Sequence, residues 1–345
     1  MKKFEREYNI EEYKGEAYSH YFGGLKPCVF DIEATGLSPR TCKVIMTAML
    51  VPTDKGVKIT QFLAENHYEE DKVLTATMDF LASEGIDYLI TYNGTTYDIP
   101  FVNTRLDMLC LPYQLDLYDF DMYRFLRKHS ILPRLLDSLS QSSVERFFMI
   151  RKDREDTISG KESIVLFDEY ARTGNTNIEK VILTHNREDV LQLYKILHTA
   201  GHDNWSYVLD GASFDSAISA YGVPADKGRF SVRPSLDRKK NVLLIKGTQN
   251  VDPISAAYFS GINSPISATF SSATKSFEIY LPLSAYEDSV FVDIKALGFE
   301  DFECDEFREL DAYVNGFVIL VDKGELCWRA INDLSCRLVS ALAKA

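Results

Sequence analysis

Asp31 and Glu33 stand two residues apart in an apolar run, Cys28-Val29-Phe30-Asp31-Ile32-Glu33-Ala34, which closes at Thr35-Gly36. Strand side chains alternate faces, so two carboxylates at this spacing point the same way. On one face of an otherwise apolar strand they repel each other and resist burial. A divalent cation between them removes both penalties, because hard cations take oxygen ligands. The pair therefore reads as part of a metal site rather than as surface decoration.

Two further segments carry groups that could complete such a site. Asp98 follows Asn93-Gly94-Thr95-Thr96-Tyr97 and precedes an apolar stretch that runs to Leu109. That is a helix start, where capping is the commoner task of an Asp. His185 and Asp189 lie four apart within a helix predicted over Ile178 to His198, so they share one face. Arg187 and Glu188 lie beside them, and a solvated polar face is the competing reading. Asp189 is followed directly by Val190-Leu191 and sits near the edge of the apolar stripe.

The elements that must position these groups alternate in the first half of the chain. Strands are predicted at Cys28 to Ile32, Lys43 to Val51, Val57 to Leu63 and Asp87 to Tyr92. An amphipathic helix covers Glu69 to Glu84, and residues 117–149 read as mainly helical, interrupted at Pro133. Strand–helix alternation indicates an α/β layer architecture. The pattern changes near residue 200. After a short helix at Phe214 to Tyr221, strand signals dominate at Asn241 to Ile245, Ser276 to Leu283, Val290 to Ile294 and Gly316 to Val321. An amphipathic helix with Ile331, Leu334, Leu338 and Leu342 closes the chain. We expect one domain over residues 1–202 and a smaller, β-rich α+β module of unknown role over 203–345.

Composition bounds the function only loosely. The 345 residues carry a formal net charge of −13, which argues against a protein that coats nucleic acid. It leaves room for an enzyme with a local basic patch or a bound metal. Two such patches exist. Residues 120–154 hold eight Lys/Arg against four Asp/Glu, and residues 226–246 hold seven against two. The second includes Arg238-Lys239-Lys240. A solvated charge run is the ordinary reading of either. The cysteines Cys28, Cys42, Cys110, Cys304, Cys327 and Cys336 form no C-x-x-C pair and no zinc spacing. The charged N-terminus lacks a signal-peptide core and no apolar run reaches membrane-span length, so a cytoplasmic protein with no membrane partner is expected.

Taken in order, these segments resemble the DEDD exonuclease superfamily, and most closely its YprB-type ribonuclease H-like family. Phe30-Asp31-Ile32-Glu33-Ala34-Thr35-Gly36-Leu37 looks like the family's first motif, with Ala34 where Thr is more usual. Thr91-Tyr92-Asn93-Gly94-Thr95-Thr96-Tyr97-Asp98-Ile99-Pro100-Phe101 looks like the second. His185-Asn186-Arg187-Glu188-Asp189-Val190-Leu191 looks like the third. Glu169-Tyr170-Ala171-Arg172-Thr173-Gly174 is similar to the linking segment. The resemblance covers about residues 20–200 and takes in nothing from 205–345. It implies a ribonuclease H-like mixed sheet flanked by helices. It implies a metal-dependent nuclease, a 3′→5′ exonuclease acting on single-stranded RNA or DNA. Asp31, Glu33, Asp98 and Asp189 would hold two Mg²⁺ or Mn²⁺ ions, with Asp31 bridging. His185 would be the general base, with a structural role as the alternative; it lies four residues before the last Asp, where exonucleases with a histidine base usually have five. By the same resemblance Thr35 and Leu37 would touch the terminal nucleotide and Asn93 would line the cleft. The alternative function is a binding module that keeps the fold and does not cleave.

Overall fold

The computed structural model describes residues 1–156, 158–211, 213–259, 266–297, 308–310 and 312–344. Cys304 lies outside them. The chain forms two compact units, Met1–Ser19 with Gly24–Ser213, and His20–Gly23 with Phe214–Ala345.

The first unit is built on a six-stranded mixed sheet in the order β1-β4-β3-β2-β5-β6. β2 (Pro27–Ala34), β3 (Val44–Thr53) and β4 (Gly56–Leu63) form an antiparallel meander. β5 (Tyr88–Thr91) runs parallel to β2, and β6 (Tyr118–Asp121) parallel to β5. Parallel strands need crossovers. The helices Glu70–Ser83 and Asp98–Met108 lie in these connections. Their apolar stripes, among them Val73, Leu74, Phe101, Val102 and Leu106, join Phe30, Ile45 and Met46 in one core. Helix Thr176–Ala200 packs across β2, β3 and β4 and so crosses the strand that carries Asp31 and Glu33. The α/β, ribonuclease H-like mixed sheet expected from the sequence is the fold observed.

One sequence reading needs correction, and one strand was not read from the sequence. Residues 117–149 do not begin as helix, because Tyr118–Asp121 adds a strand to the sheet before helix Met122–His129. The segment Lys2–Tyr8, unassigned from sequence, is β1, a charged edge strand antiparallel to β4. The unit also keeps residues 203–213. There a 3₁₀ turn, Asp203–Val208, places Trp205 against Phe147 and Phe148, and the Val208 carbonyl accepts from the Ile131 amide at 2.7 Å.

The second unit contains an antiparallel six-stranded sheet, order β10-β11-β12-β9-β8-β7. Its strands are β7 (Val223–Ala225), β8 (Phe230–Asp237), β9 (Val242–Gln249), β10 (Ala256–Phe259), β11 (Ser267–Ser271) and β12 (Ser276–Pro282). A smaller five-stranded sheet follows within Ser284–Leu326, and the closing helix Trp328–Leu342 packs against β7 and β8. This is the C-terminal α+β module. Among the described residues, no helix is long and apolar enough to cross a membrane.

Candidate metal centre

β2 delivers the first two carboxylates as its alternation requires. Asp31 pairs in register with Ala48, and Glu33 with Met46. A β-bulge falls between Glu33 and Ala34, where the strand turns out of the sheet. Bulges commonly sit beside functional sites, where they re-aim a side chain. The following loop is tied down on both sides. Thr35 exchanges backbone and hydroxyl hydrogen bonds with Lys43, each 2.9 Å, and the Tyr97 hydroxyl donates to the Gly36 carbonyl at 3.2 Å.

Asp98 is not a helix cap. The N-cap position is Tyr97 and has no side-chain cap bond. The Asp98 carboxylate instead reaches β2, where Oδ1 accepts from the Ile32 amide at 3.2 Å. That places it beside the strand segment bearing Asp31 and Glu33. From helix Thr176–Ala200, Asn186 donates to Asp31 Oδ2 at 2.8 Å. One turn of helix brings His185 and Asp189 to the same side. His185 Nε2 lies 3.6 Å from Glu33 Oε1 and 3.7 Å from Asp189 Oδ2. Glu33, His185 and Asp189 can each offer a ligand atom, all within 4.8 Å of one another.

The electrostatics are those of crowded, buried acid. Glu33 is pushed up to about 7 by burial, and the Asp189 charge adds to this against the pull of His185. Asp98 rises to about 7 from burial first, with Asp121 and Asp189 contributing and the Ile32 amide opposing. Asp31 is held well above the usual carboxylate range by burial and by the charges of Asp189, Asp98 and Glu33. Burial alone would lower His185, but its hydrogen bond to Asp156 and the charges of Asp189 and Glu33 raise it to about 9. Oxygen donors that cannot all ionise unaided fit a hard divalent cation.

Several groups that matter here were not read from the sequence. His185 Nδ1 bonds Asp156 at 2.5 Å, which fixes the ring and leaves Nε2 facing the carboxylates. Arg154 donates to Asp189 Oδ1 at 2.6 Å, to Glu145 at 3.1 Å and to Asp156. On the other flank, Asp119 accepts from Thr91 and Thr95 hydroxyls at 2.8 and 2.7 Å. Asp121 accepts from the Asn93 amide at 2.9 Å and caps the next helix through Arg124 N. Together they brace the turn that leads into Asp98. Their sequence signal was available: Tyr118-Asp119-Phe120-Asp121 repeats the apolar–acidic alternation of residues 30–33. Arg154 and Asp156 gave none, because their partners lie up to 35 residues away.

A cavity of about 910 Å³ opens over the site, lined by Asp31, Glu33, Leu37, Tyr97, His185 and Asp189 among others. Leu37, 85% exposed, stands at its wall. Thr35 and Asn93 do not line it. The Thr35 hydroxyl is engaged by Lys43, and the Asn93 side-chain oxygen accepts from Thr96 at 2.6 Å.

Comparison with known proteins accords with this architecture. The chain is 28% identical to the uncharacterized protein YprB of Bacillus subtilis (strain 168) over 171 residues, which cover 48% of this chain and 40% of that protein. It therefore spans less than half of that relative's length. A family B DNA polymerase from the archaeon Pyrobaculum calidifontis superposes with a TM-score of 0.40 and 17% identity, over 68% of this chain and 33% of the polymerase. A likeness that partial bears on neither fold nor function. Residues 28–200, the span that holds all four carboxylates and His185, match the family model described as the RNase H superfamily. The chain belongs to the RNase H superfamily, within its YprB-type ribonuclease H-like family.

Proposed function

We propose that the first unit is a metal-dependent nuclease, a 3′→5′ exonuclease that hydrolyses phosphodiester bonds of single-stranded nucleic acid. The observation that carries this reading is the gathering of Glu33, Asp189 and His185 within 4.8 Å, with Asp31 and Asp98 beside them and raised by burial first and by neighbouring carboxylate charge second. Asp31, Glu33, Asp98 and Asp189 would hold two Mg²⁺ or Mn²⁺ ions. When bound, the ions would stabilise charge on the attacking and leaving oxygens of an in-line displacement.

The chain's own groups would do the rest. Asp156 holds His185 Nδ1, so Nε2 is the nitrogen offered to the site. A cation held by Glu33 and Asp189 would offset two of the charges that keep His185 protonated. His185 Nε2 would be the group placed to accept a proton from the attacking water. Leu37 offers an exposed apolar surface at the cavity wall against which a base can rest. Gln141 donates to the Asp189 backbone carbonyl at 2.9 Å and steadies the helix turn that carries the ligand.

The test is an assay of labelled single- and double-stranded RNA and DNA with added Mn²⁺ or Mg²⁺, using Asp31→Ala as control. Stepwise shortening of single strands from the 3′ end, absent in the variant, is expected. Binding with no hydrolysis under either metal would replace this reading with a nucleic-acid- or protein-binding module on the same fold.

A further inference from the structure

The β7–β12 sheet of the second unit has one covered face and one face that is exposed over β10–β12 and at Arg233 and Lys246, with Ser231 and Val242 on it buried. Phe230, Phe270 and Phe277 cluster on the covered face, where helix Trp328–Leu342 packs on β7 and β8. Strand register fixes what that second face presents, because directly paired residues share a face. Phe259 pairs with Ser267, Ser267 with Tyr280, and Tyr280 with Leu244. This row crosses four strands and exposes two rings, Phe259 at 72% and Tyr280 at 43%. They stand two strand spacings apart, about 10 Å. In the adjacent row Glu278 pairs with Lys246, and Lys246 with Arg233. Beyond the row's other side lies the β8–β9 turn with Arg238, Lys239 and Lys240, all exposed.

We propose that this face binds single-stranded nucleic acid, its bases stacking on Phe259 and Tyr280 and its phosphates meeting Arg233 and the 238–240 turn. The proposal rests on the reading of the protein as acting on nucleic acid. Charge favours this occupant. Five cations on or beside the face outnumber Glu278 and Asp237, in a chain whose net charge is −13. Among the described residues, Arg233, Arg238, Lys239 and Lys240 enter no ion pair, while Lys246 is matched to Glu278 at 2.8 Å. Exposed rings aligned across an open sheet are what sequence-tolerant base stacking requires, and an acidic peptide has no use for them.

The test is fluorescence polarisation of the full chain with fluorescein-labelled oligo-dT or oligo-rU in EDTA, where hydrolysis cannot occur. Phe259→Ala with Tyr280→Ala is expected to weaken binding by at least about tenfold. The exchange Phe259→Tyr with Tyr280→Phe should restore it. Replacing Arg238, Lys239 and Lys240 by Ser should lower the slope of log Kd against log salt by about two. The same ring-truncation loss is expected in an Asp31→Ala background, so failure of the nuclease reading leaves this result standing, and the reverse. Absence of binding at low salt, or affinity unchanged by ring truncation, overturns the proposal. Competition by polyglutamate with no effect of the ring variants also overturns it and makes an acidic protein the occupant.

Discussion

The imidazole of His185 is held at one nitrogen and offered at the other. Asp156 binds Nδ1, while Nε2 lies within 4 Å of both Glu33 and Asp189. Two roles fit that position. As a general base, His185 would contribute roughly 10²–10⁴-fold. His185→Ala should then lower kcat by at least about a hundredfold while Mn²⁺ affinity stays near the wild-type value. As a nitrogen ligand it would instead set metal affinity. A Mn²⁺ titration followed by electron paramagnetic resonance separates the two, since loss of affinity alongside loss of rate identifies the ligand role. Asp156→Asn supplies a second readout. It leaves a hydrogen-bonding partner for the ring but removes a charge that raises its pKa, so the acidic limb of the pH–rate profile should move to lower pH. A profile unchanged in both variants would reduce His185 to packing. Asp31→Ala should abolish metal-dependent cleavage with the fold intact by circular dichroism.

At the scale of elements, a buried ion pair ties helix Glu70–Ser83 to helix Asp98–Met108, the helix that begins at Asp98. Glu70 accepts from Arg105 Nε and Nη2 at 2.8 and 2.7 Å and from the Val44 amide at 2.8 Å. Arg105 also donates to the Pro39 carbonyl at 3.1 Å, in the loop just after β2. Both side chains are nearly excluded from water. Removing one partner strands the other, at a cost of about 3–5 kcal/mol. Arg105→Met should therefore lower the urea midpoint of the first unit by a corresponding amount. It should also loosen the 35–43 loop, seen as faster amide exchange there than in β3. How much of this was legible follows from the range of each interaction. Asp31 and Glu33 were legible because a period of two is a local property of a strand. The helix of His185 and Asp189 was legible from its apolar stripe. Asp98 was ambiguous locally, since its partner Ile32 is 66 residues away. β6 was hidden because four strand residues run directly into helix Met122–His129. Arg154, Asp156 and Glu145 could not be read at all. Their association depends on how the loop after residue 147 closes onto the helix at 185–189, which no local pattern encodes.

For the whole molecule, the acid cluster makes stability depend on pH and on metal together. Folding raises Glu33, Asp98 and Asp119 to about 7 from ordinary carboxylate values. Between those limits the folded chain holds protons that the unfolded chain has released, so stability falls as pH rises. His185, raised to about 9, adds the same sign, because its stabilisation is complete below the unfolded value and is lost as pH climbs through 9. His129 and His198 are lowered by burial and act oppositely, but their effect is finished once pH exceeds the ordinary histidine value. From pH 6.5 to 8.5 the acid cluster and His185 agree, while the Cys42 thiol, lowered by its hydrogen bond with Thr41, acts oppositely as it ionises. The metal-free protein should lose roughly 5 °C in Tm over that interval. On the proposed reading Mn²⁺ or Mg²⁺ would bind the folded state and compete with the same protons, so its stabilisation should be larger at pH 8.5 than at 6.5. The repulsion can also be removed by mutation. Asp31→Asn and Asp98→Asn keep an oxygen for Asn186 and for the Ile32 amide while deleting a charge. Each should raise the Tm of the metal-free protein at pH 8.5, flatten its pH dependence and blunt the response to metal, together with loss of cleavage. Calorimetric scans at the two pH values, with EDTA and with Mn²⁺, read all three effects. A metal-free Tm that rises with pH, or amide variants less stable than wild type at pH 8.5, would mean that these carboxylates are compensated within the protein and have no need of a cation.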